Sequence, residues 1–171
     1  MDSVENYRRW FDYEKDSHAK VIDSLQGISE DNRSSSSFQK AVDLMAHLIA
    51  ARRMWLYRFG FAKENAELFP RSVLFSTLAG QLAEMEAGWS AYLEKLTDTE
   101  LERVFEYQSY EGSRFRNTVA DILTQLFGHS WYHRGQIAAQ VRALGAEPAV
   151  TDFVFWSREQ VEDKSECGEL K

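Results

Sequence analysis

Two histidines, His129 and His133, stand four residues apart in the stretch Gly128-His129-Ser130-Trp131-Tyr132-His133-Arg134-Gly135-Gln136-Ile137. Four residues make about one helical turn, so on a helix both imidazoles share a face. Such a pair can grip one metal ion but cannot complete its coordination. The plainer alternative is that each is a buried neutral imidazole with a hydrogen-bond partner. A third histidine, His47, lies in a separate and strongly apolar segment, and it shifts the balance towards metal. Facing helices bring their side chains within reach of one another, and helical bundles build metal sites in this way. Three neutral imidazoles can bind a divalent ion on one side and leave positions open for water or substrate.

Other residues invite a part at such a centre. Asp43, one turn before His47, is a candidate acceptor for the imidazole's other N–H, or else an exposed helix charge. Glu14 and His18 interrupt an apolar stripe one turn apart. They are either a buried hydrogen-bonded pair or cavity residues, Glu14 as general base or extra ligand and His18 as substrate contact or fourth ligand. Arg134 could hold an anionic substrate group, or pair with acids on a neighbouring helix. The chain has no Gly-rich phosphate loop, CxxC pair or G-x-S-x-G elbow. Ser130 follows His129 where H-E-x-x-H peptidases carry glutamate, which disfavours their chemistry.

Helices must position these groups. Prolines occur only at 70 and 148, so long helices are permitted almost throughout. The first spans about Val4 to Leu25, with Asp2 and Glu5 as a start signal and the stripe Tyr7, Phe11, Glu14, His18, Val21, Leu25. A serine-rich linker ends in Ser36, which with Gln39 suggests a capping box for the second helix, about Phe38 to Phe59. That helix is apolar on most sides, as a buried one must be. An irregular stretch follows. Pro70 suits the first turn of the third helix, which runs to about Leu96 with the stripe Leu74, Leu78, Leu82, Met85, Trp89, Tyr92. Between Thr97 and Arg116 the period breaks, and apolar residues around Glu111-Gly112 suggest a small hairpin. The fourth helix, about Thr118 to Leu144, carries His129 and His133 inward and stops at Gly145. Thr151 to Trp156 is apolar enough to pack back on the helices. The reading is all-α, a four-helix bundle over residues 1–157 with a charged tail, 158–171.

Bulk properties narrow the function. The 171 residues suit one domain, and 27 acidic against 20 basic residues give a net charge of −7. Nucleic acid needs a basic footprint and is excluded as an expected partner. No window approaches a membrane span, and the acidic start has no signal-peptide apolar run, so no membrane partner is expected. The lone cysteine, Cys167, suits a reducing cytoplasm.

The run from Gly128 through Ile137, continuing to Leu144-Gly145, resembles the N-H-x-x-Y/H-H-R-G-Q signature of the DinB/YfiT-like metal-dependent proteins. His47 falls where that family's first histidine sits, Tyr13-Glu14-Lys15-Asp16 near its Y-N-x-W stretch, and Asp152-Phe153 resembles its L-D-F segment. Two positions depart: Gly128 stands where asparagine is frequent, and Glu14 likewise. The resemblance implies an up-down-down-up bundle whose His47, His129 and His133 bind zinc or nickel. It further implies a low-molecular-weight thiol as co-substrate in some members, a small-molecule substrate and frequent homodimers. The expected activity is therefore metal-dependent S-transfer from a thiol, or hydrolysis. The alternative is a non-catalytic metal- or small-molecule-binding bundle of the stress-response kind.

Overall fold

The computed structural model describes residues 3–161. Asp2, Cys167 and most of the charged tail 158–171 lie outside the described residues. Four long helices share one apolar core: α1 (Ser3–Gln26), α2 (Ser36–Arg58), α3 (Phe75–Glu94) and, after three intervening elements, α5 (Val119–Ala143). Between α3 and α5 come a short helix, α4 (Asp98–Glu102), and an antiparallel pair, β1 (Val104–Gln108) and β2 (Arg114–Thr118). A final short helix, α6 (Phe153–Ser157), closes the described chain.

Helices α2 and α5 make the most extensive contact, and they carry the three histidines. Their ends are set by local chemistry. On α5, the Thr118 hydroxyl accepts from the Asp121 N–H and the Asp121 carboxylate accepts from the Thr118 N–H. That reciprocal box satisfies two otherwise orphaned donors. At the other end Gly145 takes a left-handed φ of 72°, which suits glycine, and its N–H reaches the Arg142 carbonyl.

The start of α2 corrects the expected cap by one residue. Ser35, not Ser36, accepts from the Phe38 N–H, and the Gln39 amide turns to Asp43 and the Val73 carbonyl instead. The start of α3 is also later than expected. Pro70 belongs to an irregular segment, the helix begins at Phe75, and Leu74 is exposed. Ser72 explains the delay, because its φ of 56° is incompatible with a right-handed helix.

The hairpin stands where the broken period suggested, with Val104 opposite Thr118 and Gln108 opposite Arg114. Gly112, at φ 89°, makes its turn possible. Phe105 and Tyr107 pack edge-on against Trp55 of α2, and Tyr110 at the tip reaches Phe69. The segment after α5 also folds back as its composition suggested. Phe153 and Trp156 pack edge-on against Tyr13 of α1, whose hydroxyl donates to the Thr151 carbonyl. No helix among the described residues is long and apolar enough to cross a membrane.

Candidate metal centre

His47 projects from the middle of α2, and His129 and His133 project from successive turns of α5. One ligand atom from each lies within 4.8 Å of the others, in a setting that is half-buried rather than sealed. The hydrogen bonds fix how the rings present themselves. His47 Nδ1 is 2.6 Å from the Leu68 carbonyl. A carbonyl only accepts, so Nδ1 carries the proton and the neutral ring turns a lone pair outward at Nε2. His133 Nδ1 is 2.8 Å from Gln136 Oε1, an acceptor one turn on, and its Nε2 is likewise a lone pair.

Both lone pairs point at one atom. His129 Nε2 is 3.2 Å from His47 Nε2 and 3.1 Å from His133 Nε2. A neutral His129 has at most one proton there and can donate to only one of its two neighbours. At least one neighbouring lone pair is therefore left without a donor, which a cation at the centre relieves. The spacing suits one: ligands at about 2.0–2.1 Å from a tetrahedral ion lie about 3.3 Å apart. An all-imidazole set suits zinc, nickel or copper better than magnesium or calcium. The donor set thus fits a divalent transition ion.

Protonation supports the same arrangement. Burial, then repulsion from His133 and His47, hold His129 down to about 4. Burial also lowers His133, against a raising hydrogen bond from Gln136. Both rings are then neutral at pH 7, the form that ligates metal.

A cavity of about 540 Å³ opens beside the centre, with His47 and His133 in its wall. Leu44, Phe69 and Pro70 supply apolar lining, and the Phe69 ring lies parallel to the His47 ring with centroids 5.2 Å apart. Asp43 also lines this cavity, but it is not the acceptor for His47 that its position on the helix suggested. Its carboxylate accepts from the Ser72 and Val73 N–H groups at 3.1 and 3.0 Å and from the Gln39 amide at 2.9 Å. It pins the left-handed turn at Ser72, and the Leu68 carbonyl of the same segment serves His47. Sequence spacing had no means of finding a backbone carbonyl 21 residues away.

The structure takes Glu14, His18 and Arg134 elsewhere. Glu14 is 1% exposed and ion-paired with Arg52 of α2, a partner the sequence did not suggest. Arg134 donates to the Tyr13 hydroxyl at 2.8 Å and lies 4.0 Å from Glu14. The acidic-partner alternative for Arg134 thus matches its surroundings, and it lines a separate cleft beside Thr151 and Phe153. His18 is sealed against α3, with Nδ1 3.9 Å from Glu86, and burial lowers its pKa. None of the three lines the cavity beside the histidines. Gln136, within the quoted motif and three residues after His133, was detectable from its i, i+3 spacing.

The profile of the DinB family matches residues 2–165. No curated protein sequence matches the chain. The structure is similar to the crystal structure of a DinB-like protein from Bacillus cereus ATCC 10987, with a TM-score of 0.64 and 19% identity. That match covers 85% of this chain and 95% of the other. At this identity the likeness concerns the fold.

Proposed function

The chain belongs to the DinB family, and from that premise we propose that His47, His129 and His133 hold one divalent ion, zinc or nickel, used on a small molecule. The observation carrying this reading is the convergence of three imidazole Nε2 atoms beside an open cavity. A divalent ion held there would lower the pKa of a water or thiol presented from the cavity, generating a nucleophile near neutral pH. The reaction is S-transfer from a low-molecular-weight thiol to an electrophile, or hydrolysis.

The chain's own residues orient and shield. Leu68 and Gln136 fix the tautomers of His47 and His133, as acceptors behind metal ligands do. Phe69 stacks on the His47 ring from one side. A general base must lie within reach of the reacting atoms. We therefore do not assign that part to Glu14, whose carboxylate faces Arg52, nor a substrate contact to His18 or Arg134. We also take the four long helices as the up-down-down-up bundle, residues 1–157 as its domain, and the protein as cytoplasmic. A homodimer is consistent with exposed Trp131, Tyr132, Val154 and Phe155.

A second reading, a non-catalytic binding protein, is favoured by one fact. The carboxylate in the cavity wall, Asp43, is committed to three hydrogen bonds and is poorly placed to take a proton.

The test is metal content after chelator treatment and reloading. One zinc per chain is expected for the wild type and almost none for His129→Ala at equal helicity. Loaded protein is then given a thiol and a chlorinated aromatic electrophile. A metal-dependent rate supports transfer; stoichiometric metal with no rate for any thiol or ester supports the binding reading. Equal zinc in wild type and His129→Ala overturns both.

A further inference from the structure

Four residues of α2 that line the cavity, Lys40, Asp43, Leu44 and His47, follow an i, i+3, i+4, i+7 spacing. They therefore form one stripe of the helix, facing the cavity along two turns. His47 lies at one end of the stripe and Lys40 at the other, about 10 Å away along the axis at 1.5 Å per residue. Arg71 joins Lys40 in the wall from the irregular segment before α3.

The two cations at the Lys40 end outnumber the one carboxylate beside them. Among the described residues neither Lys40 nor Arg71 forms an ion pair or hydrogen bond. The carboxylate beside them, Asp43, is occupied by the Ser72 and Val73 N–H groups and the Gln39 amide. The chain as a whole carries −7, so its general field repels anions, and a local pair of free cations at a cavity mouth is selective against that background. Leu44 lies between the two ends on α2, Phe69 stacks on the His47 ring, and Pro70 adds apolar wall.

We propose that the occupant of this cavity is a small organic acid. Its carboxylate lies between Lys40 and Arg71, its apolar body lies against Leu44, Phe69 and Pro70, and its far end reaches the histidine centre. The proposal names the substrate class for the site in Proposed function and rests on that reading only for what happens at the far end. It moves anion recognition from Arg134, which is buried beside Tyr13 and Glu14 and outside this cavity, to two exposed side chains in its wall.

Isothermal titration calorimetry with 4-phenylbutyrate and its uncharged amide tests it. Zinc-loaded wild type, metal-free wild type and a zinc-loaded Lys40→Ala/Arg71→Ala double variant are compared, with zinc measured separately in each. Both replaced side chains are exposed, so the fold is retained. The wild type is expected to prefer the carboxylate by about tenfold, the combined effect of two solvent-exposed ion pairs. In the double variant the preference falls to within about twofold, while zinc content and amide binding stay unchanged. A preference that survives in the double variant means that the metal takes the carboxylate, and overturns the proposal. No preference, or no binding of either compound by the wild type, overturns it too. If zinc content is zero but metal-free wild type still prefers the carboxylate, the metal reading has failed and this one stands.

Discussion

His47, His129 and His133 are half-buried beside a cavity, whereas Glu14, His18 and Arg52 are sealed between α1, α2, α3 and α5, with Arg134 buried beside them at the edge of a separate cleft. Both groups interrupt the same apolar core. In the first, nitrogen lone pairs converge without enough protons to pair them, and the site is open on one side. In the second, opposite charges meet, Glu14 with Arg52 directly and Arg134 nearby, and His18 faces Glu86, yet Glu14 Oε1, both His18 ring nitrogens and Arg134 Nε and Nη1 have no hydrogen-bond partner among the described residues. Unsatisfied polar atoms are therefore not what sets the histidine group apart: its ligand atoms converge on one point and a cavity opens beside them. The two groups are close enough to interact, since the Arg52 charge helps to hold the His129 pKa down.

The largest effect should come from breaking the sealed group. Glu14→Leu leaves Arg52 without its counter-ion in the interior, at a cost of about 3–5 kcal/mol by chemical denaturation. Adding Arg52→Met should recover part of that loss, because it removes the unpaired Arg52 charge, although Arg134 stays charged nearby. Zinc per folded chain should not change in either variant. A Glu14→Leu protein of wild-type stability, or one that loses zinc while folded, would erase the distinction between the groups.

A smaller effect is expected behind the open group. Gln136→Leu removes the acceptor for His133 Nδ1 and should weaken zinc binding by about tenfold in a competition assay, with little change in metal-free stability. Undiminished affinity would mean that Gln136 does not orient His133.

The smallest effect is a slope. His129 in the folded chain is held to about 4, against 6.5 for an unperturbed imidazole. Between those values the unfolded chain takes up a proton there and the folded chain does not, so folding stability falls as pH falls through this window. Metal-free wild type should lose thermal stability from pH 6.5 to 4 more steeply than His129→Gln. Identical slopes would place the His129 ring in water.

Much of this was legible in the chain. Histidine spacing put His129 and His133 on one face of a helix, and the burial of the second helix brought His47 across from them. Gly145 and the broken period before residue 118 marked the ends of α5 and the hairpin. What stayed illegible depends on tertiary contacts. Glu14 and His18 look as functional on a helical stripe as the ligands do, because nothing local announces Arg52, 38 residues on, as a partner. Asp43 has the spacing of an acceptor for His47, but the left-handed turn at Ser72 offers it two N–H groups instead. The cavity wall likewise comes from an irregular segment whose path has no periodic signal.

The chain has four histidines, three in the open group and one in the sealed group, so one spectrum can test the central claim. Long-range imidazole ¹⁵N correlations of the labelled metal-free protein would be recorded before and after one equivalent of zinc. The Nε2 signals of His47, His129 and His133 should move together to metal-bound positions, Nδ1 of His47 and His133 should stay protonated, and His18 should be unmoved. Unchanged spectra, or coordination through His18 or through Nδ1 of His47, would contradict it.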